Sequence, residues 1–307
     1  MGLLRSRPPP RSRALPVGSG NRRIRSVDPA PGVFRRSRSS VRRAGSGVTD
    51  GLQVAAVLVT HNSERFLGDT LASIDRQSRR SDVLVAIDDH SSDATVEMLT
   101  DHGFTVVTAT SSATDTTTRV AQNFQQALRL ATGLGAEIVI LGDHDDIWHG
   151  DRVRHQVELL AADPSIALLA SDGFLIDEHG AAVPGTIRDT FPVPEDFSGW
   201  SRRQQWIYAL RHSLATGGAS ALRPGALDDW SVPSGWLHDR WWSLAALRAE
   251  RLSIDPTPVI DYRISAEQQV GLDAAGQHSS REWIHRRLSD LTKTGRRSRD
   301  LRRLASG

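Results

Sequence analysis

Apolar residues in the first half of this chain fall into short uninterrupted runs, separated by stretches of helical spacing. Val54–Val59 forms one such run and Asp82–Ile87 contains another. Runs of this length are typical of strands that are buried on both faces of a parallel sheet. Between them, Glu64–Gln77 carries apolar side chains at Phe66 and Leu67 and again one turn later, which predicts an amphipathic helix.

The same alternation continues along the chain. It predicts a helix over 92–100, a strand over 104–108, a helix over 120–132 and a strand over 137–141. Ser92 or Asp93 is placed to cap the first of these helices. Strands that alternate with helices in this order indicate an α/β fold, in which a mainly parallel sheet with right-handed connections is flanked by helices.

Polar clusters follow three of the predicted strands, at the point where each strand ends. These clusters are Thr60-His61-Asn62, Asp88-Asp89-His90 and Asp143–Asp146. In parallel α/β sheets ligands bind at the carboxyl ends of the strands, where the following loops converge. The sequence therefore predicts a binding site at this edge of the sheet.

Composition restricts the chemistry of that site. The 307 residues are 38% hydrophobic and include no cysteine, which excludes a thiol nucleophile and a cysteine zinc site and leaves oxygen or imidazole ligands for any metal. No stretch approaches the roughly 18 apolar residues of a membrane-spanning helix. We therefore expect a cytoplasmic protein.

Charge is distributed unevenly. Residues 1–50 hold twelve arginines against two acidic residues, and 281–307 is also strongly basic, so the middle of the chain is strongly acidic although the whole carries only +2. This is not the basic folded face of a nucleic-acid reader, and no nucleic-acid partner is expected. Residues 1–48, rich in arginine, serine and proline, are expected to be disordered. They serve either for adhesion to an anionic surface or as a solvated tail.

The closing segment has a loosely amphipathic and basic pattern. Apolar residues recur from Trp283 to Leu304, which suits a helix that lies on a membrane surface or one that packs on the domain. Through its basic ends, the chain could thus make peripheral contact with the inner face of the membrane.

The acidic cluster after the fourth strand suits a divalent cation. Mg²⁺ and Mn²⁺ prefer hard oxygen ligands and often bind through one or two carboxylates, with phosphate oxygens completing the shell. Asp143 and Asp145 fit this role. The alternative is an acidic turn in which Asp143 or Asp146 caps the helix that begins near Asp151.

Several motifs in order resemble those of the inverting family 2 glycosyltransferases with the GT-A fold, across most of 53–271. Asp-x-Asp-Asp-x-Trp is most similar to the bacterial rhamnosyltransferase-like branch. The matching pieces are Thr60-His61-Asn62-Ser63-Glu64, Asp88-Asp89-His90-Ser-Ser-Asp93, Gln122-Asn123-Phe124, Gly142-Asp-His-Asp-Asp-Ile-Trp148, Ser171-Asp172 and Trp236-Leu-His238-Asp239-Arg-Trp241-Trp242.

This resemblance implies roles for individual residues. Residues at the nucleotide end would be Thr60, Asn62, Glu64, Asp88, Asp89, Asn123 and Asp143. The metal ligands would be Asp143 and Asp145, and the catalytic base would be Asp239. The residues themselves make Trp148, His238 and Trp241 candidates for the sugar and acceptor region. There the Gly217-Gly218 pair indicates either a close backbone approach at Gly218 or a tight turn. The residues alone leave other roles open: Asp239 as a helix cap, His238 as a structural histidine, and the tryptophans as core.

The resemblance also implies partners and domain limits. The donor would be dTDP-rhamnose or a UDP-sugar, the cofactor Mn²⁺ or Mg²⁺, and the acceptor a cell-envelope glycan or lipid-linked intermediate. The GT-A domain would span 50–275, with a nucleotide-binding half over 50–150 and an acceptor half over 151–275, followed by a basic tail over 281–307. Transfer of a single sugar is expected because the Gln-x-x-Arg-Trp signature of processive synthases is absent.

Other functions use parts of the same pattern. A catalytically silent sugar-nucleotide-binding relative or a metal-dependent phosphohydrolase would keep the acidic cluster, and an interaction protein would depend on the basic ends. A nicotinamide oxidoreductase and a P-loop phosphotransferase are disfavoured, because the first strand leads into Thr60 and His61 rather than a glycine-rich turn. One departure from the family pattern lies in the late loop, where Ser265 replaces the usual histidine.

Overall fold

A computed structural model describes residues 49, 51–265 and 294–306 of the chain. In this part of the chain nine strands form one mixed sheet, with eight α-helices around it. The strands are β1 (Val54–Thr60), β2 (Val83–Asp88), β3 (Thr105–Thr108), β4 (Ile138–Asp143), β5 (Ile147–Trp148), β6 (Leu168–Ile176), β7 (Ala182–Thr186), β8 (Ser220–Leu222) and β9 (Leu252–Arg263). The arm over 1–48 and the segment 281–293 lie outside the described residues.

The helices follow the strands in the order that the sequence pattern predicts for the first half. They are α1 (Glu64–Asp75), α2 (Thr95–Asp101), α3 (Thr116–Gly133), α4 (Arg152–Ala162), α5 (Ile187–Thr190), α6 (Arg202–Ala209), α7 (His238–Arg248) and α8 (Thr294–Ser306).

The strand order across the sheet is β3-β2-β1-β4-β8-β6-β9-β5, with β7 paired to β6. β3, β2, β1 and β4 run parallel to one another. β8 is antiparallel to both β4 and β6, whereas β9 is parallel to β6. The predicted α/β class is confirmed: the sheet is curled and mostly parallel, with helices on both faces.

Each face of the sheet is covered by its own apolar core. Leu67 and Leu71 of α1 pack with Val157 of α4 on one face. Phe124 of α3 packs with Trp242 of α7 on the other. Full burial of side chains of this size stabilises a fold by about 1.5–3 kcal/mol each, so the two cores hold the parallel strands, and with them the strand ends, in fixed positions.

Two helix starts differ from the sequence prediction. The third helix begins at Thr116 rather than Val120, because the carboxylate of Asp115 accepts a hydrogen bond from the Thr118 N–H at 2.8 Å and caps it. The second helix begins at Thr95, three residues later than predicted. Asp93 does not cap it as predicted; its carboxylate joins the two helices by accepting from the N–H groups of Thr95 and Glu64, each at 3.1 Å.

The described part of the closing segment packs on the domain. Leu301 and Leu304 of α8 lie against the core on the α7 face, and the guanidinium of Arg297 stands 5.0 Å from the ring of Trp236. None of the helices in the described residues is long and apolar enough to cross a membrane. The sequence left open whether this segment lies on a membrane surface or packs on the domain. The contacts of Arg297, Leu301 and Leu304 show that its described part packs on the domain.

Candidate active site

The carboxyl ends of β1, β2 and β4 lie side by side because these strands are parallel neighbours. Thr60 pairs in register with Asp88, and Val59 pairs with Asp143. A cavity of about 150 Å³ opens at this edge of the sheet. The predicted site residues that line it are Thr60, Asn62, Asp89, Asn123, Asp143 and Asp145.

Asp88 is a support of the cavity rather than part of its lining. Its side chain is buried, accepts from the Thr60 hydroxyl at 3.0 Å and from the Ser91 N–H at 2.9 Å, and so ties the first loop to the second. Asn62 adds a second tie, since its amide oxygen accepts from the Ser92 N–H at 2.8 Å. Asn62 has a φ of 47°, a left-handed backbone that asparagine tolerates better than most residues.

Glu64 is not among the residues that line the cavity. Its carboxylate accepts from the Ala94 N–H at 3.2 Å, at the start of α2. In this structure it therefore supports the loop that carries Asp89, whereas the family resemblance implied a position at the nucleotide.

Asp89 lies on the wall of the cavity and forms an ion pair with α3. The Nε of Arg119 donates to its carboxylate at 2.8 Å, and its backbone oxygen contacts Nδ1 of His61 at 2.6 Å. This charge-assisted hydrogen bond fixes the carboxylate, which lines the cavity and is 11% exposed.

Asn123 and His238 bring unused polar atoms into this region. Asn123 is fully buried and lines the cavity, and neither atom of its amide has a partner among the described residues. Buried amides are normally hydrogen-bonded, so Asn123 is suited to a bound molecule. His238 lies behind the wall, stacked on Phe124 at 3.8 Å, and burial lowers its pKa to about 3. It is therefore a neutral, packed histidine rather than a base.

The acidic cluster after β4 concentrates negative charge. Asp145 and Asp146 are buried and Asp143 is half-buried. Burial, together with the charges of Asp145 and Asp239, raises the pKa of Asp143 to about 7. Burial, together with the charges of Asp145 and Asp143, also raises the pKa of Asp146. Like charges this close favour either a bound proton or a bound cation.

Two adjacent backbone amides bring Asp143 and Asp239 together. The Gly217 N–H donates to Asp239 Oδ2 at 3.2 Å, and the Gly218 N–H donates to the carboxylate of Asp143. A Cβ on Gly218 would stand 2.7 Å from Asp143 Oδ2 and 2.6 Å from Asp146 Oδ2. The turn therefore needs glycine at this position and sets the spacing of the two carboxylates.

Asp239 is not the cap of α7. The cap residue is Leu237, and Asp239 lies within the first turn of the helix, where a carboxylate is favoured by the helix dipole. Burial raises its pKa, and the hydrogen bonds from Arg240 and Gly217 oppose that rise. Similarly, α4 has Asp151 at its N-cap position, so the reading of Asp143 or Asp146 as the cap of that helix is wrong.

Both candidate tryptophans are core residues in this structure. Trp148 is 3% exposed, and its ring lies against Gly142 and 4.0 Å from the guanidinium of Arg152. Trp241 packs against Trp236 at 5.2 Å. Neither lines the cavity, which fits the packing role that the residues alone favoured.

Sequence reasoning missed several residues of the cavity and its surroundings. Arg65, Phe66 and Tyr262 line the wall, and Arg119 holds Asp89. The position of Arg65, directly after the motif ending in Glu64, was the one available signal. Arg119 reaches Asp89 from 30 residues further along the chain, which no local pattern reveals, whereas Tyr262 belongs to the late-loop segment that holds Ser265.

The lining fits a divalent cation that arrives with a phosphate group. No group of three or more ligating side chains that could hold a metal ion occurs within the described residues. However, Asp143 and Asp145 are hard oxygen donors of the number that Mg²⁺ or Mn²⁺ commonly takes from a protein. The described lining also has three carboxylates, with Asp89 as the third, against one guanidinium, Arg65. The lining therefore holds more acidic than basic side chains, which favours a bound proton or cation.

Comparisons with solved structures agree with this fold. The chain is similar to S. aureus TarS residues 1–349 in complex with UDP-GlcNAc, with 18% identity and a TM-score of 0.52 over 75% of this chain and 62% of that one. It is also similar to a mycobacterial protein, with 19% identity and a TM-score of 0.50 over 72% of this chain and 70% of that one. The chain thus spans about three fifths of TarS 1–349.

The sequence was also compared with protein families and with curated proteins. No curated protein matches the sequence. The model of Glycosyl transferase family 2 matches residues 55–227, which is more than half of the chain. This range contains the three strand-end clusters and the Gly217-Gly218 turn, and the chain belongs to glycosyl transferase family 2.

Proposed function

We propose that this transferase moves a single sugar from a nucleoside diphosphate sugar to an acceptor hydroxyl, with inversion at the anomeric carbon and with the help of a divalent cation. The observation that carries the proposal is the pairing of Asp143 with Asp239 through the adjacent amides of Gly217 and Gly218. It puts a carboxylate of the donor cavity beside a carboxylate able to serve the acceptor.

The donor would occupy the strand-end cavity. Asp89 would accept from the edge of the base, Thr60, Asn62 and Asn123 would complete the polar wall, and Asp143 would approach the ribose. Asp145 and Asp143 are the residues that would hold Mn²⁺ or Mg²⁺. When bound, such an ion supplies a positive charge that stabilises the departing diphosphate.

Asp239 would act as the base. Its carboxylate takes the proton of the acceptor hydroxyl while that oxygen forms a bond to the anomeric carbon. The bond between the anomeric carbon and the diphosphate oxygen breaks on the opposite face, and its electron pair leaves with the nucleoside diphosphate. A pKa raised by burial suits this task, because a carboxylate with a higher pKa is a stronger base.

The identities of the donor and the acceptor belong to the same proposal. Resemblance of Asp143–Trp148 to the rhamnosyltransferase-like branch favours dTDP-rhamnose, and likeness to the UDP-GlcNAc complex of TarS makes UDP-sugars the second class. A cell-envelope glycan or lipid-linked intermediate is the proposed acceptor. The proposed place of action is the cytoplasm, with peripheral contact at the inner face of the membrane.

A transfer assay tests this function. The protein is incubated with Mn²⁺ and a panel of dTDP- and UDP-sugars, with and without a mixture of glycan and lipid-linked acceptors, and release of nucleoside diphosphate is measured. We expect release that depends on the acceptor and falls by at least about 10²-fold in Asp239→Asn, since general-base catalysis contributes roughly 10²–10⁴-fold. The Asn side chain can accept from Gly217 or from Arg240 but not from both, so thermal unfolding of the variant checks that it is folded.

The same assay separates the alternatives. Release of inorganic phosphate without any acceptor would identify a phosphohydrolase. Donor binding without turnover, with every acceptor tried, would identify a silent relative. Equal activity of Asp239→Asn and the wild type would show that Asp239 is not the base.

A further inference from the structure

Arg263 is a buried cation at the point where β9 ends beside the acidic cluster. Its side chain is 1% exposed, and it lies two residues before Ser265, which lines the donor cavity. Burial of a guanidinium costs free energy unless its N–H groups are hydrogen-bonded. The hydrogen-bond partners of Arg263 therefore indicate its structural role.

One group of its contacts reaches the acidic loop. Nε of Arg263 donates to the backbone oxygen of Asp145 at 2.8 Å. The backbone N–H of Arg263 donates to Asp146 Oδ1 at 3.1 Å. Arg263 thus contacts the acidic loop at two points, the backbone oxygen of Asp145 and the side chain of Asp146.

A second group of contacts anchors the guanidinium to two other elements. Nη2 donates to Asp69 Oδ2 on α1 at 3.1 Å, and Nη1 reaches the backbone oxygens of Asp177 and Glu178 at 3.4 and 3.3 Å. The guanidinium carbon stands 4.8 Å from the ring centre of Phe66, which lines the cavity. One planar group therefore connects α1, the turn after β6 and the acidic loop.

The acidic loop, Asp143–Asp146, requires contacts that hold it in place. Asp143, Asp145 and Asp146 repel one another as carboxylates, and their repulsion favours a loop that opens toward solvent. A bond to the Asp145 carbonyl from inside the protein opposes that opening and leaves its carboxylate on the cavity side. The planar fork of arginine reaches these separated acceptors in a fixed geometry, whereas the three donors of lysine all lie on a single nitrogen.

We propose that Arg263 is a positioning residue for the cation site, which orients the carboxylate of Asp145 by holding its backbone from behind. This rests on the proposed function, since the cation is part of it. Arg263 itself contacts neither donor nor acceptor in this scheme. Its effect is on the affinity of the cation.

Mn²⁺ titration of the full-length protein tests this role. Free Mn²⁺ is followed by electron paramagnetic resonance at a fixed concentration of UDP or dTDP, for the wild type, Arg263→Lys and Asp69→Asn. We expect Arg263→Lys to weaken Mn²⁺ binding by about 10-fold or more, as loss of supporting partners behind metal ligands commonly does. Asp69→Asn, at a side chain that is 64% exposed, should fold normally and weaken binding by a smaller factor.

Two controls distinguish positioning from general damage. Arg223 also donates to a backbone oxygen, that of Leu160, but lies outside the cavity lining, and Arg223→Lys should leave Mn²⁺ affinity unchanged. With chelator present, nucleotide affinity should be equal in Arg263→Lys and the wild type. The proposal would be overturned if Arg263→Lys and Asp69→Asn both bound Mn²⁺ as tightly as the wild type. It would also be overturned if Arg263→Lys lost as much nucleotide affinity with chelator present as with Mn²⁺ present.

The outcome for the wild type is informative separately. Nucleotide binding that does not respond to Mn²⁺ in the wild type would overturn the proposed function, and the positioning role with it. A response in the wild type that persists at full strength in Arg263→Lys and Asp69→Asn would overturn the positioning role alone.

Discussion

At the scale of single residues, the adjacent amides of Gly217 and Gly218 hold Asp239 and Asp143 side by side. The sequence could flag Asp143 because it follows an apolar strand, and Gly218 because paired glycines suggest a close backbone approach. It could not show that the two glycines join these carboxylates, since Asp143 and Asp239 are far apart in sequence. Nor could it reveal Arg263, whose contacts come from three separate elements.

Replacing Gly218 with alanine should damage the site sharply. The added Cβ would meet the carboxylates of Asp143 and Asp146 at under 3.0 Å, which forces the turn or the acidic loop to move. We expect a loss of stability of about 1–3 kcal/mol, as for other overpacked sites, and at least about 10²-fold lower kcat/KM. Gly225→Ala is the matched control, because its Cβ would meet nothing within 4 Å. Equal activity of the two variants would show that the turn does not set the spacing.

Replacing Asp146 with asparagine should stabilise the protein when divalent cations are removed by chelator. The folded-state pKa of Asp146 is raised above 3.8 by burial and by its acidic neighbours. Its contribution to stability is therefore present below pH 3.8 and lost as pH rises through the folded pKa. Asparagine keeps the acceptor for the Arg263 N–H and has no charge to ionise. Asp146→Asn should thus have the higher Tm at pH 8, by about 2–4 °C for each kcal/mol gained.

Thermal unfolding of both proteins from pH 4 to pH 8 measures this effect. The difference in Tm should be small at pH 4 and grow with pH. A difference that is constant over this range would mean that the charge of Asp146 is not the cause.

At the scale of elements, hydrophobic periodicity located the four parallel strands and three helices around the site, but not their ends. α3 starts at Thr116 because Asp115 caps it, and the pattern starts later because the first turn carries threonines rather than apolar residues. Short strands such as β5 and β8 are too short to show a hydrophobic periodicity. They form because they pair with longer strands, β5 with β9 and β8 with β4 and β6.

Replacing Asp115 with alanine should weaken α3, which carries Arg119, Asn123 and Phe124 to the site. Loss of an N-cap acceptor costs about 1 kcal/mol, since the Thr118 N–H loses its partner at 2.8 Å. We expect the free energy of unfolding, measured by denaturant titration, to fall by that amount, with catalysis changed less than twofold. Asp115→Asn, which keeps an acceptor, should restore most of the stability. A destabilisation equal in both variants would argue against capping as the cause.

At the scale of the whole molecule, the parallel half of the sheet supplies the donor cavity, and the mixed half brings Gly217, Asp239 and Arg263 to its edge. The first half was predictable because its strands and helices alternate along the chain. The second half was not, because its strands pair over long sequence separations, as Ile147 does with Asp261. The family resemblance supplied Asp239 where periodicity could not.

A cation-dependent nucleotide site at the ends of the parallel strands is tested most directly by calorimetry. UDP and dTDP are titrated into the wild type and into Asp145→Ala. Titrations are made with Mn²⁺, with Mg²⁺ and with chelator. We expect binding of at least one nucleotide that strengthens with metal in the wild type and loses that dependence in Asp145→Ala. Absence of binding under every condition, or the same metal dependence in Asp145→Ala as in the wild type, would contradict it.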